Sequence, residues 1–333
     1  MEKRKKIIKI LIIALPVAAF ICALIFGRYN LGLDKIFNLV ASPESFKGNV
    51  SYSVLFNIRI PRALLGLLVG GVLAASGAGL QGMFKNPLVD SGMLGVSSGA
   101  GFGAVLGIIL FNNSYALTIL FAFGFGLLAV FLSYLIGTIY KSSPRLMLVL
   151  GGVIVSSLFS SLVSLGKFIA DPFDQLPSIV FWLMGSLANV GFTEVLYIVI
   201  PAFASVIGLT LLGWKINVLS LGDREAHSLG VNIKVTKALV VVFCSLGTAA
   251  VVSVCGTIGW IGLVIPHIVR MLLGSDNKAI IPYSFLLGAG FLAVIDIFAR
   301  SLTGAELPVG MLTSFVGVPF YIFLLRRTRG GGW

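Results

Sequence analysis

Two histidines, three cysteines and twelve acidic side chains are the groups of this 333-residue chain best suited to proton transfer or metal binding. Their spacing assembles none of these chemistries. His227 and His267 lie far apart, and Cys22, Cys244 and Cys255 each sit inside an apolar run, where a thiol acts as a small hydrophobe. No nucleophile stands beside a base and no His/Glu set repeats at ligand spacing, so an enzyme is not expected and no metal site is assigned. "GAGLQG", 77–82, has the glycine spacing of a dinucleotide loop, but it ends an apolar run where that loop would link a strand to a helix. The pattern G-x-x-x-x-G-K-[ST] is absent, so the chain does not cradle nucleotide phosphate by that route, and no cofactor is expected on it.

The polar residues that remain suit contact more than catalysis. "LSLGDREAHSLGVNIKVTK", 219–237, carries Asp223, Arg224, Glu225, His227, Lys234 and Lys237 in a chain that is only 11% charged. It reads either as a solvated loop with ordinary loop lysines or as a rigid peg bounded by Gly222 and Gly230, glycines that permit sharp entry and exit. Arg59, Arg62 and Arg300 stand at the ends of apolar runs; headgroup snorkelling and, for Arg300, an i,i+4 pair with Asp296 are open readings. Pro266–His267 is expected to break an apolar run, with His267 as a structural hydrogen-bonder in preference to a proton relay.

The elements that must position these groups are membrane spans. Hydrophobic residues make up 58% of the chain, and its charged share is less than half the roughly one quarter usual in soluble proteins. Apolar stretches fall near 7–27, 61–83, 94–111, 115–140, 145–169, 178–190, 192–213, 233–253, 256–273, 280–300 and 307–325. An N-terminal signal peptide would have a shorter apolar core than 7–27, so this run reads as a retained first span. The piece 178–190 would make a helix of about 20 Å against a hydrocarbon core of about 30 Å, so it reads as re-entrant or interfacial. Ten spans remain, in one all-α domain with both ends on the cytoplasmic side. Basic residues then divide sixteen inside (Lys3, Arg4, Lys5, Lys6, Lys85, Lys141, Arg145, Lys215, Arg224, Lys234, Lys237, Arg270, Lys278, Arg326, Arg327, Arg329) and seven outside (Arg28, Lys35, Lys47, Arg59, Arg62, Lys167, Arg300), as the positive-inside rule asks. That bias accounts for the net charge of +12 without nucleic acid.

Glycine supplies 40 of the 333 residues, well above the usual share of about 7%. Gly66 and Gly70, and again Gly95, Gly99, Gly103 and Gly107, repeat every fourth residue, so each set shares a helix face. Such faces let helices approach closely in lipid, for packing alone or for a lining that slides during transport.

"RIPRALLGLLVGGVLAASGAGLQGMFKNPLVDSGMLGVSSGAG" (59–101), "LGDREAHSLGV" (221–231), "GTIGWIGLVIPHIVRMLLG" (256–274) and "DIFARSLTGAELPVGMLTSFVGVPFYIFLL" (296–325) resemble the FecCD-type permeases, membrane subunits of ABC importers for iron-siderophores, haem and cobalamin. The resemblance implies ten spans per subunit, a homodimer or paired halves in a prokaryotic cytoplasmic membrane, and two ATP-binding subunits inside that use ATP and Mg. It also implies a substrate-binding protein outside. In that picture Leu221, Gly222, Asp223, Arg224, Glu225, Ala226, Leu229 and Gly230 belong to a short cytoplasmic helix pair that docks on the ATPase. Arg59, Arg62 and Arg300 meet acidic residues of the binding protein through exposed pairs worth about 0.2–1 kcal/mol each. Ser142 and Ser143, with Asn86 and Pro87, form a cytoplasmic gate, although Pro144 departs from the family pattern. The implied cargo is a metal chelate, iron-siderophore by default, with haem, cobalamin and oxyanions such as molybdate open. An ion-coupled secondary transporter is the rival, but it needs ionisable ligands at mid-membrane. Asp90, Glu194, Asp296 and Glu306 all lie near span ends.

Overall fold

In lipid each backbone amide needs a partner within its own segment, so apolar runs of this length must become helices. The computed structural model describes residues 2–139, 144–188 and 190–327, and among them there is no strand. The order is α1 (Glu2–Ile25), α2 (Leu33–Ala41), α3 (Val50–Tyr52), a π-helical segment (Ser53–Arg59) continuing into α4 (Ile60–Phe84), α5 (Val96–Leu110), α6 (Tyr115–Ile139) and α7 (Pro144–Ile169). There follow α8 (Gln175–Met184), α9 (Phe192–Leu221), α10 (Asp223–Ser228), α11 (Ile233–Cys255), α12 (Ile261–Leu273), α13 (Asn277–Ser301) and α14 (Val309–Arg327). Among the described residues seven helices are long and apolar enough to cross a bilayer: α1, the continuous Val50–Phe84 helix, α6, α7, α9, α11 and α13. α5, α8, α12 and Val309–Phe323 of α14 are apolar but shorter.

The bundle is built around α4. Its most apolar window is 83% buried, against 17% for α1, which lies at the periphery. Only small residues allow such a centre. A Cβ on Gly70 would lie 2.2 Å from the Gly288 carbonyl oxygen of α13, and one on Gly288 would lie 2.4 Å from that of Gly70. The two helices therefore touch backbone to backbone. Gly77 meets α12 in the same way, 2.0 Å from the Gly262 oxygen. On α5, Gly99, Gly103 and Gly107 meet the α6 backbone at Phe125, Phe121 and Thr118. Gly95 does not share that face: it precedes the helix with φ +86°. Gly70→Val should force α4 from α13 and cost upwards of the roughly 1–3 kcal/mol typical of overpacking. Gly66→Ala should be tolerated, because its nearest neighbour is 3.5 Å away. Thermal unfolding of the two purified variants distinguishes them.

Four boundaries differ from those expected, and the first is the second span, expected from 61, whose helix already begins at Val50. α9 does not stop near 213 but runs on to Leu221, because Ile216, Val218 and Leu219 are buried beyond the polar interruption at Lys215 and Asn217. The short helix is 175–184 and not 178–190, ended by Gly185 at φ +74°. The eighth expected span is interrupted before Pro266, not at it: 256–260 is irregular, while α12 continues through Pro266. Proline leaves the carbonyl four residues earlier without its helical donor. That carbonyl belongs to Gly262, and Gln81 Nε2 of α4 donates to it at 3.1 Å. The last glycines of "GAGLQG" thus flank the residue that makes a proline tolerable in α12.

Candidate functional site

Three regions carry polar groups that a plain apolar bundle does not need. The first is the foot formed by α10. Gly222, at φ +148°, turns the chain out of α9, and a Cβ there would lie 2.1 Å from Glu225 Oε2. Gly230, at φ +74°, turns it back. Ala226 and Val231 are buried in one apolar cluster with Ile216 and Leu219, so the foot is anchored from below. Lys237 Nζ of α11 donates to Asp223 Oδ2 at 3.1 Å, tying the helix to the next element. Arg224, Glu225, His227, Leu221 and Leu229 remain exposed. The expected helix pair is one six-residue helix beside the last turn of α9. Leu221 and Leu229, 61% and 54% exposed, flank it.

The second region lies at the other end of α4 and α13 and corrects the picture of exposed arginines. Arg59, Arg62 and Arg300 are 3%, 4% and 5% exposed. Arg62 Nε and Nη2 grip Asp296, with Nη2–Oδ1 at 2.8 Å, and Nη1 donates to Glu306 Oε2 at 2.8 Å. Arg300 Nε stands 3.7 Å from Asp296 Oδ2, the local i,i+4 pair, and its Nη2 donates to the Ala23 carbonyl at 2.6 Å. Arg59 donates to the carbonyls of Leu24, Ile25 and Tyr29. Arg28 reaches the carbonyls of Arg300 and Thr303. The last carbonyls of a helix lack partners within it. Guanidinium groups supply them for α1 and so bolt the peripheral helix to the core.

The third region is a pair of cavities around the ends of α8 and α11. One, of about 300 Å³, is lined by Asn113, Tyr115, Ser178, Trp182, Ser186 and Cys255 among others. The other, of about 390 Å³, is lined by Asp90, Ser97, Thr248, Thr257, Trp260 and Ser314 among others. A seam of backbone lies along both. The Ser186 amide donates to the Cys255 carbonyl at 2.8 Å, Thr257 Oγ1 donates to the Leu183 carbonyl, and the Gly310 amide reaches the Gly185 carbonyl at 3.3 Å. A Cβ on Gly256 would fall 2.1 Å from the Trp182 oxygen. Non-helical backbone at membrane depth is tolerated where protein or a cavity surrounds it.

Sequence reasoning did not single out Gln81, Thr248, Thr257, Trp260 or the Gly185–Gly256 contact. Their only sequence signal is glycine beside short apolar helices. Asn86 and Pro87 terminate α4: Lys85 takes φ +53°, the Asn86 amide bonds to the Gln81 carbonyl, and Asn86 Oδ1 accepts from Leu88 N at 2.9 Å. Ser142 and Ser143 lie outside the described residues. His267 is buried within α12. Among the described residues no cluster of three His, Cys, Asp or Glu side chains could hold a metal.

Comparison with known proteins places this geometry. The model of the FecCD transport family matches residues 13–327. The chain is 40% identical over 309 residues to the molybdate import system permease protein MolB of Haemophilus influenzae, covering 92% of this chain and 91% of that one. It is 39% identical over 315 residues to the "Probable iron chelatin transport system permease protein" of Helicobacter pylori, covering 93% and 95%. A solved structure described as "An inward-facing conformation of a putative metal-chelate type ABC transporter" superposes with a TM-score of 0.86 at 38% identity, covering 96% of this chain and 99% of that one. Matched along nearly its whole length, this multi-pass helical chain belongs to the FecCD transport family, whose members are permease subunits of ABC transporters and not enzymes.

Proposed function

We propose that this chain is the membrane half of an ATP-driven importer, working as a homodimer of single-domain, ten-span subunits with both ends in the cytoplasm of a prokaryote. The ten are the seven long helices together with α5, α12 and α14. Two ATP-binding subunits engage the foot at 219–231, and a binding protein delivers cargo at the opposite end. The observation that carries this reading is α10: a short, charged helix anchored at Ala226, with Leu221 and Leu229 exposed beside it. It suits a lever that must transmit motion without melting into solvent.

The cargo proposed is a metal chelate or an oxyanion. Iron-siderophore is the first chelate to test, and the likeness to a molybdate permease makes molybdate the first oxyanion. The ion-coupled alternative wants an ionisable ligand free to exchange. Asp296, the buried carboxylate of α13, is instead committed to Arg62 and Arg300. A binding protein that presents acidic side chains at the Arg62 end would first have to displace Glu306, which is the more exposed partner in that network.

Proteoliposomes holding this chain with its ATPase and binding protein should take up cargo only with ATP inside the nucleotide-accessible compartment. Uptake should persist after ionophores collapse proton and sodium gradients. Uptake that follows the gradients, with no need for nucleotide, overturns the reading.

A further inference from the structure

The 390 Å³ cavity has a polarity that the transport reading leaves unused. α5 and α12 both begin on it: Ser97 and Gly262, their second residues, line its wall, as do Gly259 and Trp260 just before α12. The first amides of a helix have no partner within it, and the aligned peptides leave about half a positive charge at that end. One such terminus attracts an anion; in membranes, half-helix N-termini facing a common cavity serve anionic groups of a substrate. A separate observation points to a ligand. Thr248 of α11 lines the same cavity and is 1% exposed, yet its hydroxyl has no hydrogen-bond partner, and an unmet buried hydroxyl costs about 1–3 kcal/mol.

We propose that this cavity is a transit site for an oxygen-rich anionic group, a tetrahedral oxyanion or the carboxylate rim of a chelate, held by the first-turn amides of α5, by the Gly262 amide and by the Thr248 hydroxyl. The Ile261 and Leu263 amides of α12 are already bonded to the Gly259 and Trp260 carbonyls. The reading of the chain as a permease is needed only to call that group cargo. Among the described residues Asp90 is the one ionisable side chain lining the cavity. Its Oδ1 is engaged by the Met93 amide at 3.3 Å, capping the turn before α5. Burial raises the Asp90 carboxyl from its ordinary value, and the Met93 and Gly92 amides act the other way. Gly262 has no side chain to fill the gap between Asp90 Cβ, 3.5 Å from the position a Cβ would take, and the Leu73 carbonyl.

Equilibrium dialysis of the purified full-length chain in lipid nanodiscs, with molybdate and citrate as sodium salts, tests the site. At least one should bind saturably. Thr248→Val, which keeps the volume and removes the hydroxyl, should weaken that binding about fivefold or more. Asp90→Asn, which keeps a cap and removes a charge, should tighten it. Molybdate binding without citrate binding identifies a tetrahedral oxyanion site, and the converse a carboxylate site. Absence of both, equal affinity in Thr248→Val, or loss of binding in Asp90→Asn together with saturable uptake of sodium from sodium chloride overturns the proposal. The last outcome would mark Asp90 as a cation ligand. Failure of ATP-driven uptake would strike the permease reading and leave this binding result standing.

Discussion

Replacing Asp296 with alanine should lower the stability of the folded chain by about 3–5 kcal/mol, the usual cost of leaving a buried charge without its partner. Asp296 is 2% exposed and accepts from Arg62 through both Nε and Nη2. Its removal strands two guanidinium groups, Arg62 and Arg300, near the end of α4. Arg300 also holds the Ala23 carbonyl, so the damage should spread to the docking of α1. Glu306→Gln should cost far less, because Glu306 is about one third exposed and makes one contact to Arg62. Thermal unfolding in one detergent, compared across the three proteins, gives the order. An Asp296→Ala protein as stable as Glu306→Gln would show that the network adds little. The double variant Arg62→Met with Asp296→Leu should recover only the Arg62 share of the loss, since apolar replacement of a buried pair is often neutral but Arg300 stays without its carboxylate.

A second large effect is expected at the foot. Alanine at both Asp223 and Arg224 should reduce ATP-driven uptake about tenfold or more, the scale on which truncated interface charges cost about 2–5 kcal/mol. ATP hydrolysis by the associated subunits should continue. The Asp223 half of this change also frees Lys237 of α11. Lys237→Met removes the same tie while keeping the surface of α10, and should leave most uptake intact if contact with the ATPase is what matters. Equal losses in both variants would locate the effect in the seating of α10 and would sink the idea of a docked lever.

Arg62 also explains the contrast between a docking row and a buried clasp. Charge at a span end is ambiguous on a sequence, since outward display and inward pairing give the same residue at the same place. The partners that decide it, Asp296 and Glu306, lie 234 and 244 residues away. The one local partner, Asp296 four residues before Arg300, was legible because helical periodicity puts i and i+4 on one face.

The amino-acid order by itself determined that the chain would be helical and apolar, roughly where the long apolar helices would run but not α2 or the Val50–Arg59 start of the second span, that Asp223–Glu225 would form a polar break, and that the family blocks lay in sequence. Those properties are local: hydropathy over one span length and glycine spacing on one face decide them. Only the tertiary structure decided that α4 is the centre, that Gln81 stands in for the donor Pro266 lacks, and that the arginines face inward. It also brought the starts of α5 and α12 to one cavity with Thr248. Each of these rests on a pairing between residues distant in sequence, set by which backbones can approach closely enough to touch, and no window of the chain carries that information.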